Sequence, residues 1–586
     1  MSWKNDIRVV VGLDFGTIYS GFAYIHVSED NNIIINTKWP GELGQLKTNT
    51  VIQYDEYYDT VKSWGYPALL KRPDKKKKIN KKKSSSVGVF KLLFYKPEPS
   101  LDYKGSRPVE LFKLHLGKLF DNLKPKLPVD YKKAITDYLR EIGKLIKEMI
   151  TTHWPGIKFL ENVLIIIAVP AEYSEKDKGI MRECAFNAGL IKENYSEKLQ
   201  FTTEPEAAAI YCSLKVNELN TPGIVFMTVD CGGGTVDLTT RKVLENKQLG
   251  EVTERAGDFC GSTFIDKEFL NALRKILGDR AIDLLEDKHY KQMQYMIQDF
   301  SSHAKLPFTG DKSEFTSYEL DLEDIAPDVM EYVTEEIRHK MEENDWLIVF
   351  EYEDIKSMFD PFIERIIKMI QVQLDNNRET CSAMFLVGGF SQSKYLQNRI
   401  IQEFQHRVKN ISIPPCPIAA ISRGAALYGI SMRNSASNLN KTSSHKFIIN
   451  ECVLKYTYGI RVSFEWKDGD PIERKDNGRI LKFHRMARRG TVVKLDQEFT
   501  LGTMPTCPDQ DTIKFLIYYT TKYDAQYCDE DGMELLGNLL ISLPDVHLGR
   551  NRPVLFALTF GQMEVTATAK NQLNGQNYQT TLKLDI

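Results

Sequence analysis

Two stretches far apart in the chain share one order of residues: GLDFGTIYSGFAYI, ending in Asp14, Gly16 and Thr17 before a second apolar run, and GIVFMTVDCGGGTVDLTT, with Asp230, Gly232, Gly233, Gly234 and Thr235. Each reads as a strand that ends on an acid, a glycine-rich turn and a returning strand. A glycine turn of this kind serves positive φ or close backbone approach, and its successive N–H groups form a concavity of the size of an anion. Two such turns facing each other clamp a polyphosphate. The acids at the strand ends would repel phosphate, so each is expected to hold a hydrated Mg²⁺ that offsets it. Asp-Phe-Gly is also the metal-holding triplet of protein kinases, but only thirteen residues precede Asp14, too few for the loops that come first in a kinase.

The surrounding segments carry strand-then-helix order. VLIIIAVPAEYSEKDKGI is a buried strand, a proline stop and a charged helix; FTTEPEAAAIYCSL places Glu204 where a loop enters a helix; MFLVGGFSQSKYLQNRI is a third strand, with Gly388 and Gly389 at its end. The class is therefore α/β. With 586 residues, 42% apolar composition and a formal net charge of −2, the chain is long enough for several domains, and its charge does not suggest nucleic acid. The longest apolar run, Val163–Val169, is far short of the ~20 residues of a membrane span. Nine scattered cysteines without CxxC pairs read as reduced thiols, and an N-terminus without an apolar signal core points to the cytoplasm. The basic run Lys75–Lys83 reads as a solvated insertion rather than a nuclear-import signal.

The segments GLDFGTIYSG, AVPAEYSEKDK, TTEPEAAAIY, VDCGGGTVDL, AGDFCGSTFID and LVGGFSQS, in this order over about residues 7–430, resemble the 70 kDa heat-shock chaperone family, and most of all its divergent heat-shock 70 kDa protein 12 subgroup. The resemblance implies a two-lobed actin-like ATPase domain of duplicated RNase H-like subdomains over residues 1–433. Gly16, Thr17, Ile18 and Tyr19 would cradle phosphate opposite Gly232, Gly233, Gly234 and Thr235. Asp14 and Asp230 would hold Mg²⁺ through water, and Glu204 and Asp237 would orient the attacking water, with Thr17 and Thr235 beside the transferred group. Lys305, Thr309, Gly388, Gly389 and Gln392 would line the adenosine site of ATP or ADP.

The departures from the family pattern matter equally. WGYPALLK puts Leu69 at the place of a phosphate-contacting lysine, with Lys71 two residues on; a missing contact of that kind costs ~10²-fold or more in rate. Ser302, Leu306, Gln392 and Ile418 replace family residues around the base. Slow hydrolysis and altered base selectivity are expected.

After a polar linker at 434–446, residues 447–586 read as strands: YTYGIRV, MARRGTVVK, TIKFLIYYT, LLGNLLISLP, and a hairpin turning at Gly561-Gln562. This is expected to be an antiparallel β-sandwich, similar to the family's peptide-binding domain but without its helical lid. Alternating Ile513, Phe515, Ile517 and Tyr519 would either fill the sandwich core or receive an apolar segment. The function implied is a weak ATPase whose nucleotide state controls binding of unfolded or flexible apolar polypeptides, with nucleotide-exchange or co-chaperone partners. A nucleotide-binding scaffold, a small-molecule kinase and a filament protein of the same fold remain alternatives.

Overall fold

The computed structural model describes residues 3–29, 32–69, 107–215, 221–244, 249–377, 379–414, 416–434, 451–494, 497–560 and 565–581. The run Lys75–Lys83, Lys71, most of the expected linker and the Gly561-Gln562 turn lie outside the described residues.

The first repeat forms an antiparallel hairpin, β1 (Val9–Phe15) with β2 (Tyr19–His26). Beside β1 runs β3 (Val163–Val169) in parallel, and β4 (Leu199–Thr203) lies parallel to β3, giving the order β4-β3-β1-β2 followed by Ile34–Ile35. Every residue of β1 and β3 is buried, which is why these strands read as unbroken apolar runs rather than alternating ones. Helix α1 (Glu204–Lys215) begins directly at the end of β4.

The second repeat builds the same arrangement. Strands β5 (Val225–Cys231) and β6 (Val236–Val243) form the hairpin; β7 (Leu249–Glu251) extends it beyond β6; β8 (Cys381–Val387) runs parallel to β5 and β9 (Asn410–Ser412) parallel to β8. The order is β7-β6-β5-β8-β9. Asp14 stands opposite Gly21 and Ala168, and Asp230 opposite Asp237 and Val387, so the two acids hold equivalent places in the two sheets.

Helix α2 (Ala420–Asn434) joins the halves. Its small residues allow backbone contact: a Cβ on Gly424 would lie 1.7 Å from Ala207 O of α1, and one on Gly12 of β1 would lie 2.2 Å from Ser422 O. Val10, Ile166, Ala207, Phe226, Phe385 and Ala425 share this central core, flanked by a separate core in each half.

The C-terminal part contains two four-stranded antiparallel sheets. One has the order β11 (Arg479–Ala487), β10 (Thr457–Glu465), β13 (Thr512–Thr520), β14 (Met533–Ser542). The other runs β12 (Glu498–Thr503), β15 (Val554–Phe560), β16 (Val565–Asn571), β17 (Asn577–Thr581). Ile460, Phe515, Ile517 and Leu539 of the first sheet share one core with Phe556, Leu558 and Ala567 of the second. Phe515, Ile517 and Tyr519 are thus buried in the core, while Ile513 packs at its margin.

Two readings of the strands need correction. MARRGTVVK is not one strand: β11 ends at Ala487, Gly490 turns at φ +76°, and Val492–Lys494 pairs with Glu451–Val453. Strand β12, EFTLGT, was not expected, because only Phe499 and Leu501 carry its alternation and both are only half-buried.

Candidate functional site

Four acids meet where the two halves face each other. Asp14 comes from the end of β1, Asp230 from the end of β5, Asp237 from the start of β6 and Glu204 from the first turn of α1; all four are buried. The loops ahead of them touch. A Cβ on Gly233 would meet Ile18 Cγ1 at 2.7 Å, and one on Gly234 would meet Thr17 Oγ1 at 2.6 Å. Close approach is therefore why both turns need glycine, since none of Gly16, Gly232, Gly233 and Gly234 has positive φ. A Cβ on Gly16 would meet Tyr19 O at 2.2 Å, and Gly232 N donates to Thr235 O at 2.9 Å. Tyr19 itself remains 50% exposed.

The electrostatics of this cluster are strained by burial. Asp237 is pushed up to about 8, first by desolvation and then by the charge of Glu204. Burial raises Glu204 as well, with Lys113 pulling the other way, and lifts Asp230 well above the carboxylate range, with Glu204 and Asp237 adding to the shift. Asp237 Oδ1 accepts from Ala171 N at 2.6 Å, but among the described residues Asp237 Oδ2 and Asp230 Oδ1 find no hydrogen-bond partner. Buried carboxylate oxygens without partners cost free energy that a cation or proton relieves.

Two lysines enter the cluster, and sequence reading found neither. Lys47 Nζ lies 2.5 Å from Asp14 Oδ2 and compensates the charge of that oxygen. Lys113 Nζ donates to Glu204 Oε1 at 2.7 Å. Lys113 sits in the short turn Phe112–His115, whose preceding residue Leu111 adopts φ +60°, an uncommon conformation for a residue with a side chain. Its ammonium lies 5.8 Å from the ring centre of Phe15 and 5.9 Å from that of Tyr173. Leu69 follows the separate turn Tyr66–Ala68, and the buried ammonium beside Glu204 belongs to Lys113. FKLHL alternates apolar and polar residues as a half-exposed strand does, a pattern that gives no sign that Lys113 is buried.

Of the remaining candidates, Gly388 joins the acid cluster. Gly388 does need glycine: its φ is +83°, and a Cβ would meet Asp230 Oδ1 at 2.4 Å. Gly389 faces open space, with no atom within 4 Å of a Cβ built there. Lys305 Nζ pairs with Asp266 Oδ1 at 2.6 Å. Leu306 is 58% exposed, Gln392 ends the exposed side of the turn Phe390–Gln392, and Ile418 lies in the turn Pro417–Ala419. Thr309 Oγ1 accepts from Asp311 N at 3.2 Å, and Thr309 also lines an open cleft of about 660 Å³ with Tyr395 and Arg399.

The residues present suit a hard cation and a polyphosphate: orphaned carboxylate oxygens on one side, closely apposed glycine turns on the other. Among the described residues no group of three or more His, Cys, Asp or Glu side chains is close enough to enclose a metal ion, so water and phosphate oxygens would have to complete any coordination shell.

Comparison with known proteins covers nearly the whole chain. Mouse heat shock 70 kDa protein 12A is 24% identical over 97% of this chain and 90% of its own length, and the human 12A protein gives the same values. Human heat shock 70 kDa protein 12B is 22% identical over 97% of this chain and 89% of its own. Residues 222–412 match a family model described as Domain of unknown function (DUF8340). The mixed α/β architecture fits a family like the 70 kDa heat-shock proteins. Within it, the chain resembles the heat-shock 70 kDa protein 12 subgroup, as its motifs led one to expect. No helix among the described residues is long and apolar enough to cross a membrane.

Proposed function

We propose that residues 1–433 form an actin-like, two-lobed ATPase domain that binds ATP or ADP with Mg²⁺ between the two glycine turns. The observation that carries this reading is the convergence of Asp14, Glu204, Asp230 and Asp237, with orphaned oxygens on the acids, upon two turns in van der Waals contact. A hydrated Mg²⁺ bound there would offset phosphate charge. Asp14 and Asp230 would hold its water shell. Glu204 and Asp237 would orient the attacking water, and Lys113 would stabilise charge developing on the transferred group. The presence of Lys113 weakens the ground for expecting slow turnover from Leu69. Thr17 and Thr235 flank the same space, and Gly389 leaves room for a nucleoside.

The C-terminal sheets would form a β-sandwich that receives flexible apolar polypeptide segments under nucleotide control, with exchange or co-chaperone partners acting on the first domain. A second reading is a nucleotide-binding scaffold with little turnover; the burial of Phe515, Ile517 and Tyr519 closes that face of β13 to a ligand and weighs against capture of a peptide there. Calorimetric titration of ATP and ADP with Mg²⁺, followed by single-turnover hydrolysis, separates the two. Binding with hydrolysis supports the ATPase, binding without hydrolysis supports the scaffold, and the absence of any binding sinks both.

A further inference from the structure

We propose that Lys47 is a tethered cation that holds Asp14 in the absence of a divalent cation and yields it when one binds, so that the cleft binds free nucleotide and metal-loaded nucleotide with closer affinities than its acids alone would allow. The inference rests on the nucleotide reading of the cleft.

Strand register puts Lys47 there. The pair Thr48–Asn49 runs antiparallel to β2, with Tyr19 opposite Asn49 and Ser20 opposite Thr48. Asp14 pairs with Gly21 in the β1/β2 hairpin, and a Cβ on Gly21 would lie 2.8 Å from Lys47 Cγ and 2.9 Å from Leu46 O. The missing side chain at Gly21 thus opens the path by which the lysine stem crosses the hairpin and reaches Asp14. The side chain of Lys47 is 12% exposed and its ammonium is 2.5 Å from Asp14 Oδ2. Its charge also acts on Glu204 and Asp230. It therefore sits among three of the four acids.

An ammonium and a divalent cation cannot share that oxygen without strong mutual repulsion at such separation. The two lysines differ in their freedom to yield. Lys113 is enclosed between Phe15 and Tyr173, bonded to Glu204 and 4% exposed, whereas the side chain of Lys47 is 12% exposed and reaches Asp14 on a long unbranched stem. Lys47 is the group that moves when a metal arrives. When none arrives, it remains to offset the acids against incoming phosphate.

The test uses the full chain. ATP is titrated calorimetrically in the presence of Mg²⁺ and again in EDTA, for the wild type, Lys47→Met and Lys47→Arg. The ratio of the two affinities is expected to rise at least about ten-fold in Lys47→Met, mainly through loss of binding in EDTA, and to stay near the wild-type value in Lys47→Arg. Circular dichroism checks folding, and Lys47→Gln replaces the Met variant if that variant does not fold. A ratio in the neutral variant within two-fold of wild type overturns the role of Lys47 while leaving the nucleotide site intact. A wild-type chain that binds neither ATP nor ADP under either condition overturns both.

Discussion

Lys113 and Glu204 form a buried ion pair, 2.7 Å from ammonium to carboxylate, between a short turn of the first half and the opening residue of α1. Breaking one partner of a buried pair leaves an unpaired charge, which commonly costs ~3–5 kcal/mol. Lys113→Met is therefore expected to weaken ATP binding more than ADP binding and to lower the single-turnover rate by ~10²-fold or more, whereas Leu69→Lys should leave the rate unchanged. An accelerated Leu69→Lys variant would return the phosphate lysine to the WGYPALLK segment.

The turns themselves make a second prediction. Gly234 is separated from Thr17 and Leu114 by less than a methyl group needs, since a Cβ there would lie 2.6 Å from Thr17 Oγ1 and 2.9 Å from Leu114 Cδ2. Gly234→Ala should push the loops apart and reduce Mg·ATP affinity at least about ten-fold, by misplacing the N–H groups that face the phosphate. Gly389→Ala, with open space around it, should fold without strain and affect only the nucleoside end. Comparing ATP with inorganic triphosphate in the two variants would show which end of the ligand each residue faces.

Much of this site could be read in the sequence because its chemistry is local. An acid at a strand end, two residues before a glycine, already states both the hairpin and the charge, and the repeat of that pattern gave the duplicated sheets. Lys47 and Lys113 were hidden for the opposite reason: each reaches the acids by tertiary packing, one through strand register at Gly21 and the other through the left-handed Leu111. The same limit shows at the C-terminal end. Longer apolar-rich runs announced β13 and β15, while β12, with Phe499 and Leu501 as its only large apolar side chains, was too short a signal to stand out.

The acid cluster predicts a pH dependence. Asp237 holds its proton up to about pH 8 in the folded chain, against the ordinary value of 3.8. The folded state therefore binds the additional proton between these limits, and the stability this proton contributes is lost as pH rises toward and through 8. The slope is at most ~1.4 kcal/mol per pH unit for one proton. Thermal melting of the nucleotide-free chain should fall from pH 6 to pH 8.5, and Asp237→Asn should reduce that slope, with Glu204 and Asp230, raised in the same direction, supplying the remainder. An unchanged slope in the variant would place the titration elsewhere.

A second buried cluster lies behind the first. Arg241 on β6 donates to Glu206 Oε1 at 2.6 Å and lies 3.5 Å from Glu251 Oε1; Arg255 reaches Glu206 at 2.6 Å and Glu251 at 2.8 Å. Two positive and two negative groups balance, and Glu206 stands two residues beyond Glu204 on α1. Arg241→Met should destabilise the chain by about 3–5 kcal/mol, because two carboxylates would then share Arg255 alone. The first thermal transition is the readout; a shift within error of wild type would mean that water has entered to solvate the acids.

Three polar contacts join the region of the acid cluster to the C-terminal sheets. Ala171 N donates to Asp237 Oδ1 at 2.6 Å, and the next residue, Glu172, accepts from Lys455 Nζ at 2.9 Å, just ahead of β10. Two further contacts run parallel to this one: Val453 N to Glu251 Oε2 at 2.7 Å, and Arg489 to both oxygens of Glu254, each at 2.9 Å. A ligand that changes the position or charge of Asp237 therefore pulls on a backbone amide one residue from an ion pair to the second part of the chain. Transmission requires that ATP and ADP contact this arrangement differently, since a ligand that binds two states equally shifts neither. Hydrogen exchange over residues 451–581 should differ between ATP and ADP, and Glu172→Gln should reduce the difference, with Lys455→Met adding little to it because both variants break the same pair. Coupling lost in this way is of the order of 0.5–2 kcal/mol. Arg489→Met, which leaves Glu172 and Lys455 in place, separates a specific link from general loosening: exchange that rises equally in both nucleotides marks loosening, and a nucleotide difference that survives there but not in Glu172→Gln assigns the signal to the Asp237, Ala171, Glu172, Lys455 path. Identical exchange with ATP and ADP in the wild type would mean that the two parts are held together without exchanging information.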